Sequence, residues 1–104
     1  MSTPLQRINK LLPCLLGKDV EIAKRLIEKR DFEGLKDLTW SSLILVEKNL
    51  NKVPIPKKYE NITPDRVDNI RSLAIECYDY YNLLYPEEVV EAVEEEATDL
   101  VDDY

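Results

Sequence analysis

TPDRVDNIRSLAIECYDYYNLLY, residues 63–85, is the stretch on which the reading of the fold turns. Thr63 is a good N-cap, Pro64 suits the first turn, and Asp65 adds a first-turn acid that complements the helix dipole. Val67, Ile70, Ala74, Cys77, Tyr81 and Leu84 then follow at steps of three and four. That spacing keeps one apolar seam on one side of a helix, as in a coiled coil. Leu73, Tyr78 and Tyr80 widen the apolar face. The pattern predicts a helix from Pro64 to about Tyr85, where Pro86 interrupts it.

Thr3-Pro4 repeats the same start signal, and Leu5, Ile8, Leu12 and Leu15 carry a helical stripe onward. Pro13 should end or kink that helix near Leu11, and Gly17 offers a left-handed exit. Asp19 reads as the cap of a helix over about 20–30, with Val20, Ala23 and Ile27 inward, flanked by Ile22 and Leu26. Asp31 reads as the cap of another over about 32–50. Its expected stripe is Phe32, Leu35, Leu38, Ser42, Leu45 and Asn49, widened by Ile44, Val46 and Leu50. Residues 51–62 form the one real linker. Val53-Pro54-Ile55-Pro56 should be extended there, with Val53 and Ile55 strapped across the body. Scarce glycine (Gly17 and Gly34 only) and abundant helix formers complete an all-α reading of four to five helices. The division is a helical domain, 1–85, and an acidic segment, 86–104.

Charge is unevenly distributed. The net charge is −7. Residues 86–104 hold nine acids and no base, whereas residues 1–58 hold twelve bases against seven acids. The acidity therefore belongs to the tail. Within it Val89, Val93, Ala97, Leu100 and Tyr104 recur at steps of four, four, three and four, one apolar stripe on an anionic helix. Such a stripe needs a groove, on this chain or on a neighbour; the remaining alternative is a solubilising tail.

Catalytic chemistry is poorly supplied. There is no His, the usual general base near neutral pH, and zinc sites of Cys and His type lack ligands. Neither glycine belongs to a phosphate loop. Cys14 and Cys77 read as reduced core thiols, and Cys14 has no His partner and no clear cation at helical spacing. Acid pairs such as Glu87/Glu91 and Glu91/Glu95 read as a solvated face. No catalytic, cofactor or metal residue is assigned. No apolar run is long enough to span a bilayer, and nothing resembles a signal peptide, so the expectation is a soluble, intracellular chain. The basic group Lys24, Arg25, Lys29 and Arg30 invites a nucleic-acid reading. The acidic balance argues against it, and the Arg30-Asp31-Phe32 junction lacks the usual turn glycine of a helix-turn-helix.

What remains is contact surface. Tyr78, Tyr80, Tyr81 and Tyr85 cluster at one helix end, either packing two rings and exposing two or forming an interface patch. Trp40, the only Trp, lies about 80° off the stripe of its helix. The candidate protein interface is therefore Trp40, Tyr78, Tyr80, Tyr81, Tyr85, Val89, Val93, Ala97, Leu100 and Tyr104.

The run LIEKRDFEGL, residues 26–35, continuing to VEKNL, residues 46–50, resembles small helical proteins of crAss-like tailed phages, with a short helix, an Arg-Asp-aromatic junction and a longer helix. The resemblance covers residues 20–85 at most and excludes the acidic tail. It implies a virion or capsid-associated structural protein, an accessory or cementing component whose partner is a capsid or other virion protein. It implies no enzyme and carries over no functional residue. The expected location is then the virion, and otherwise the cytoplasm; self-association is open. The alternatives are a small acidic regulatory module or inhibitor that occupies a basic protein surface and, third, a nucleic-acid-binding regulator.

Overall fold

Helix starts and stops follow local chemistry through most of the chain. A computed structural model describes residues 3–86. Among them the regular structure consists of four α-helices and two short 3-10 turns: α1 Pro4–Leu11, α2 Asp19–Glu28, α3 Phe32–Leu50 and α4 Pro64–Leu84, with turns at Leu12–Cys14 and Lys57–Tyr59. Thr3 and Gln6 form a reciprocal capping box at the start of α1. The Asp31 carboxylate accepts the Gly34 N–H at 2.9 Å, and Thr63 Oγ1 accepts the Arg66 N–H at 3.2 Å. Pro13 ends α1 as its chemistry demands, and the chain tightens into the 3-10 turn before Gly17 exits with φ +52°. The cap assigned to Asp19 is corrected. Lys18 occupies that position without a side-chain bond, and Asp19 lies in the first turn, where its charge meets the helix dipole.

Between α2 and α3 the chain reverses through Arg30, whose φ of +58° is left-handed. Arg30 N–H donates to Ile27 O and Asp31 N–H donates to Leu26 O, closing a Schellman motif without glycine.

α4 is the central helix, and α1 and α3 both run antiparallel to it. Arg7 of α1 pairs with Glu76, while Arg66 reaches back to donate to Cys14 O at 2.8 Å and Leu15 O at 3.0 Å. On the other flank Phe32 meets Tyr80 edge-on, Lys36 Nζ sits over the Tyr81 ring, and Glu47 binds Arg71. α2 packs against α3 and the first 3-10 turn. One apolar cluster joins Ile8, Leu12, Leu15, Ala23, Phe32, Leu35, Leu73 and Cys77; a second joins Leu43, Val46, Tyr59, Ile70 and Ala74.

The buried seam of α3 differs from the expected one. It is Phe32, Leu35, Thr39, Ser42, Val46 and Asn49, with Leu43 alongside, and Leu45 and Ile44 face outward. Thr39 and Asn49 are tolerable inside because each bonds the preceding turn: Thr39 Oγ1 donates to Leu35 O at 3.0 Å, and Asn49 Nδ2 to Leu45 O at 2.8 Å. On α4 the seam follows its spacing up to Tyr81, but Leu84 is exposed at the helix end. The strap is also corrected. Val53 is 98% exposed and Ile55 is exposed; the residues that hold the linker down are Tyr59, buried, and Ile62, partly buried. The Val53–Pro54 peptide is cis, and the chain is bent over residues 52–54.

Candidate interaction surface

Because α3 turns Thr39, Ser42 and Asn49 inward, several of its large apolar side chains point out. Trp40 is 51% exposed, and Ile44, one turn further on, is equally open. Across the α3–α4 boundary stand Ile75 at 49% and Tyr78 at 47% exposure. Lys36, Asp37, Trp40, Ile75 and Tyr78 line a groove of about 480 Å³. α3 and α4 therefore carry apolar residues on two faces, one against the core and one against water. An amphipathic helix that is finished with its own domain shows only the first.

Lys36, in the groove lining, makes two polar contacts. Lys36 Nζ lies 4.2 Å from the centroid of the Tyr81 ring and 3.7 Å from Asp37 Oδ1. Tyr81 packs on Tyr85 with centroids 5.1 Å apart. One turn before Ile75 on α4, Arg71 bridges Glu47 and Asp68, each at 3.0 Å. A second depression, about 720 Å³, lies on the other side of Ile75, between α4 and α1; Gln6, Arg7, Lys10, Leu11, Ser72 and Glu76 line it. Ile75 is thus the ridge shared by both, a position that the sequence reading left out of the interface. Its signal is visible only once the seam is known, since Ile75 sits between the buried Ala74 and the half-buried Glu76.

Of the candidate residues, Trp40 and Tyr78 meet in the groove. Tyr85 is exposed at the end of α4. Tyr80 is largely committed to Phe32, with centroids 4.9 Å apart, and Tyr81 is buried at 8% exposure, so these two rings serve the core. Val89, Val93, Ala97, Leu100 and Tyr104 lie outside the described residues.

The thiols are embedded rather than poised. Burial pushes the Cys77 thiol up to about 12, although its hydrogen bond with Thr39 opposes the shift. Burial likewise raises Cys14. Here tertiary structure supplies the cation that helical spacing lacked, but the Arg66 guanidinium opposes the shift without reversing it. A thiol held protonated is a poor nucleophile and a poor metal ligand. Among the described residues no group of three or more His, Cys, Asp or Glu stands ready to hold a metal, and no helix is long and apolar enough to cross a membrane. What the surface can do chemically is bury apolar side chains between two charged rims.

No family model, curated protein or solved structure matches this chain.

Proposed function

We propose that this chain is a non-enzymatic interaction protein that works by surface burial, as an accessory or cementing component of a larger assembly. The resemblance to crAss-like phage proteins makes a virion the assembly of choice, with a capsid or other virion protein as the partner. The observation that carries the reading is the second apolar face of α3 and α4, where Trp40, Ile75 and Tyr78 line one groove half exposed and Ile44 stands one helical turn beyond Trp40. Trp and Tyr give large contact area for little loss of freedom, and their half-exposed rings gain from being covered. The rims, Lys36 with Asp37 and Arg71 with Glu47 and Asp68, suit orientation more than affinity.

The acidic segment 86–104 supports a second reading, a small anionic module that occupies a basic protein surface, because nine acids fall there without a base. Nucleic acid is the least favoured partner, since that segment would repel phosphates. Fractionation of the native source separates the first two. A structural component sediments with a particle at fixed copy number, and the double variant Trp40→Ser/Tyr78→Ser leaves the particle fraction. A regulator is found free or on one basic protein, and the same variant leaves its distribution unchanged.

A further inference from the structure

The loop between α3 and α4 presents apolar side chains to water. Val53 is 98% exposed and Ile55 is 40% exposed at its tip. The foot of the loop is fixed, because Tyr59 is buried and Ile62 packs against the same apolar cluster. Pro54 and Pro56 restrict the backbone on either side of Ile55, so the tip has little freedom to lose on binding. Lysines surround it. Residues 48–60 hold Lys48, Lys52, Lys57 and Lys58 against one acid, Glu60. All four lysines are exposed, and none forms an ion pair among the described residues. Lys58 lies over the Tyr59 ring, 5.8 Å from its centroid. The 3-10 turn Lys57–Tyr59 packs on α3, so the four lysines share one end of the molecule.

We propose that this loop is a peripheral membrane contact: Val53 and Ile55 enter the headgroup region of an anionic bilayer, and Lys48, Lys52, Lys57 and Lys58 meet its negative surface. Three observations select a lipid surface. The first is the pairing of an apolar tip with unpaired cations, which gains from the hydrocarbon boundary and from the surface charge together. Nucleic acid shares the charge but offers no apolar phase for Val53. The second is the kind of cation. All four are lysine, with no arginine between 48 and 60. Lysine is a flexible, strongly hydrated point charge that suits a diffuse anionic surface, whereas protein interfaces are enriched in arginine and depleted of lysine. The third is distance from the acidic segment. Residues 86–104 are attached at the far end of α4, whose 21 residues span about 31 Å at 1.5 Å per residue. That is several times the screening length of about 8 Å at physiological salt. The contact is separate from the groove above and gives the chain a second surface.

The test uses the isolated full-length chain, so no partner protein enters it and its failure leaves the reading of the groove standing. The chain is centrifuged with large vesicles of phosphatidylcholine alone, or of phosphatidylcholine and phosphatidylglycerol in equal parts. At low salt it should pellet with the mixed vesicles and stay in solution with the neutral ones. Each lysine near an anionic surface is worth about fivefold in partitioning, so Lys52→Glu/Lys57→Glu should bind at least about 25-fold more weakly. Val53→Asp should lose at least about tenfold. Lys24→Glu/Lys29→Glu makes the same charge change on α2 and should lose less than about threefold. All these side chains are exposed, so each variant should keep the native circular dichroism. Trp40 is the only Trp, so Val53→Trp in a Trp40→Phe chain reports the tip alone. Its emission should shift to the blue on the mixed vesicles. A native chain that does not pellet overturns the proposal. Equal losses in the two charge reversals also overturn it, since binding then follows net charge. Val53→Asp pelleting like the native chain, or tip emission that stays red on bound vesicles, overturns it as well, since the tip then does not enter the bilayer.

Discussion

Arg30 shows how a single residue can carry a turn against its own preference. A left-handed conformation costs a non-glycine residue roughly 1 kcal/mol or more. Both Schellman hydrogen bonds here are formed regardless. Arg30→Gly should therefore stabilise the fold by about 0.5–1 kcal/mol, less the entropy that glycine loses. A denaturant titration reads this as a higher midpoint at unchanged slope. The same residue explains how the tight junction expected between residue 30 and the Asp31 cap closes without a turn glycine: Arg30 takes the left-handed position itself. Cys77 carries a pH signature. Its thiol stays protonated in the folded chain up to about 12, whereas the unfolded chain ionises it near the ordinary 9.0. Above that ordinary value the unfolded state binds fewer protons, so stability is full below about pH 9 and falls as pH rises toward 12, by at most about 1.4 kcal/mol per pH unit from this group. Cys14 acts in the same direction. Cys77→Ala should be less stable near neutrality but lose stability more slowly between pH 9 and 10.5. Parallel declines for the two chains would assign the alkaline loss to other groups.

At the scale of elements, helices were legible wherever a cap or a proline marks them. The α3 boundaries, Phe32 to Leu50, coincide with the reading from Asp31, and α4 starts where Thr63-Pro64 announces it. The seam of α3 was legible in part: Phe32, Leu35, Ser42 and Asn49 were expected inward and are buried, whereas Thr39 was missed and Leu45 faces outward. Choosing the largest apolar residues picks Leu38 and Leu45; the fold instead follows the steps 32, 35, 39, 42, 46, 49, half of which are polar. Back-bonding of Thr39 to the preceding turn makes that seam affordable, and a list of apolar positions does not contain it. The linker misled for a related reason: Val53 and Ile55 are apolar, but ring size and the 3-10 turn select Tyr59 for burial. The seam is tested by a matched pair. Leu35→Ala removes a fully buried side chain and should cost about 2–5 kcal/mol. Leu45→Ala trims a half-exposed one and should cost under about 1 kcal/mol. Equal costs would restore the expected stripe.

For the whole molecule, the all-helical architecture follows from these elements: α4 in the middle, α1 and α3 antiparallel on its flanks, and α2 closing the end near the first 3-10 turn. The candidate site was partly legible. Trp40 stood out because it is off its helix stripe, and the tyrosine cluster because of its density. Tyr81 lies on the seam that spacing within α4 predicts, but that Tyr80 turns to Phe32 while Tyr78 turns to the groove depends on where α3 lies. Ile75 and Ile44 emerge only when the inward polar seam of α3 is known. The result is a protein whose two longest helices have more apolar surface than their own core uses. The most direct test separates core from contact at the groove. Trp40→Ser/Tyr78→Ser should keep unfolding free energy within about 1 kcal/mol of the native chain, since both side chains are half exposed already. Sedimentation of the same variant with the proposed assembly should fall at least tenfold, a loss of about 1.4 kcal/mol or more. A variant that is strongly destabilised yet still sediments with the assembly would place Trp40 and Tyr78 in the core and contradict the account.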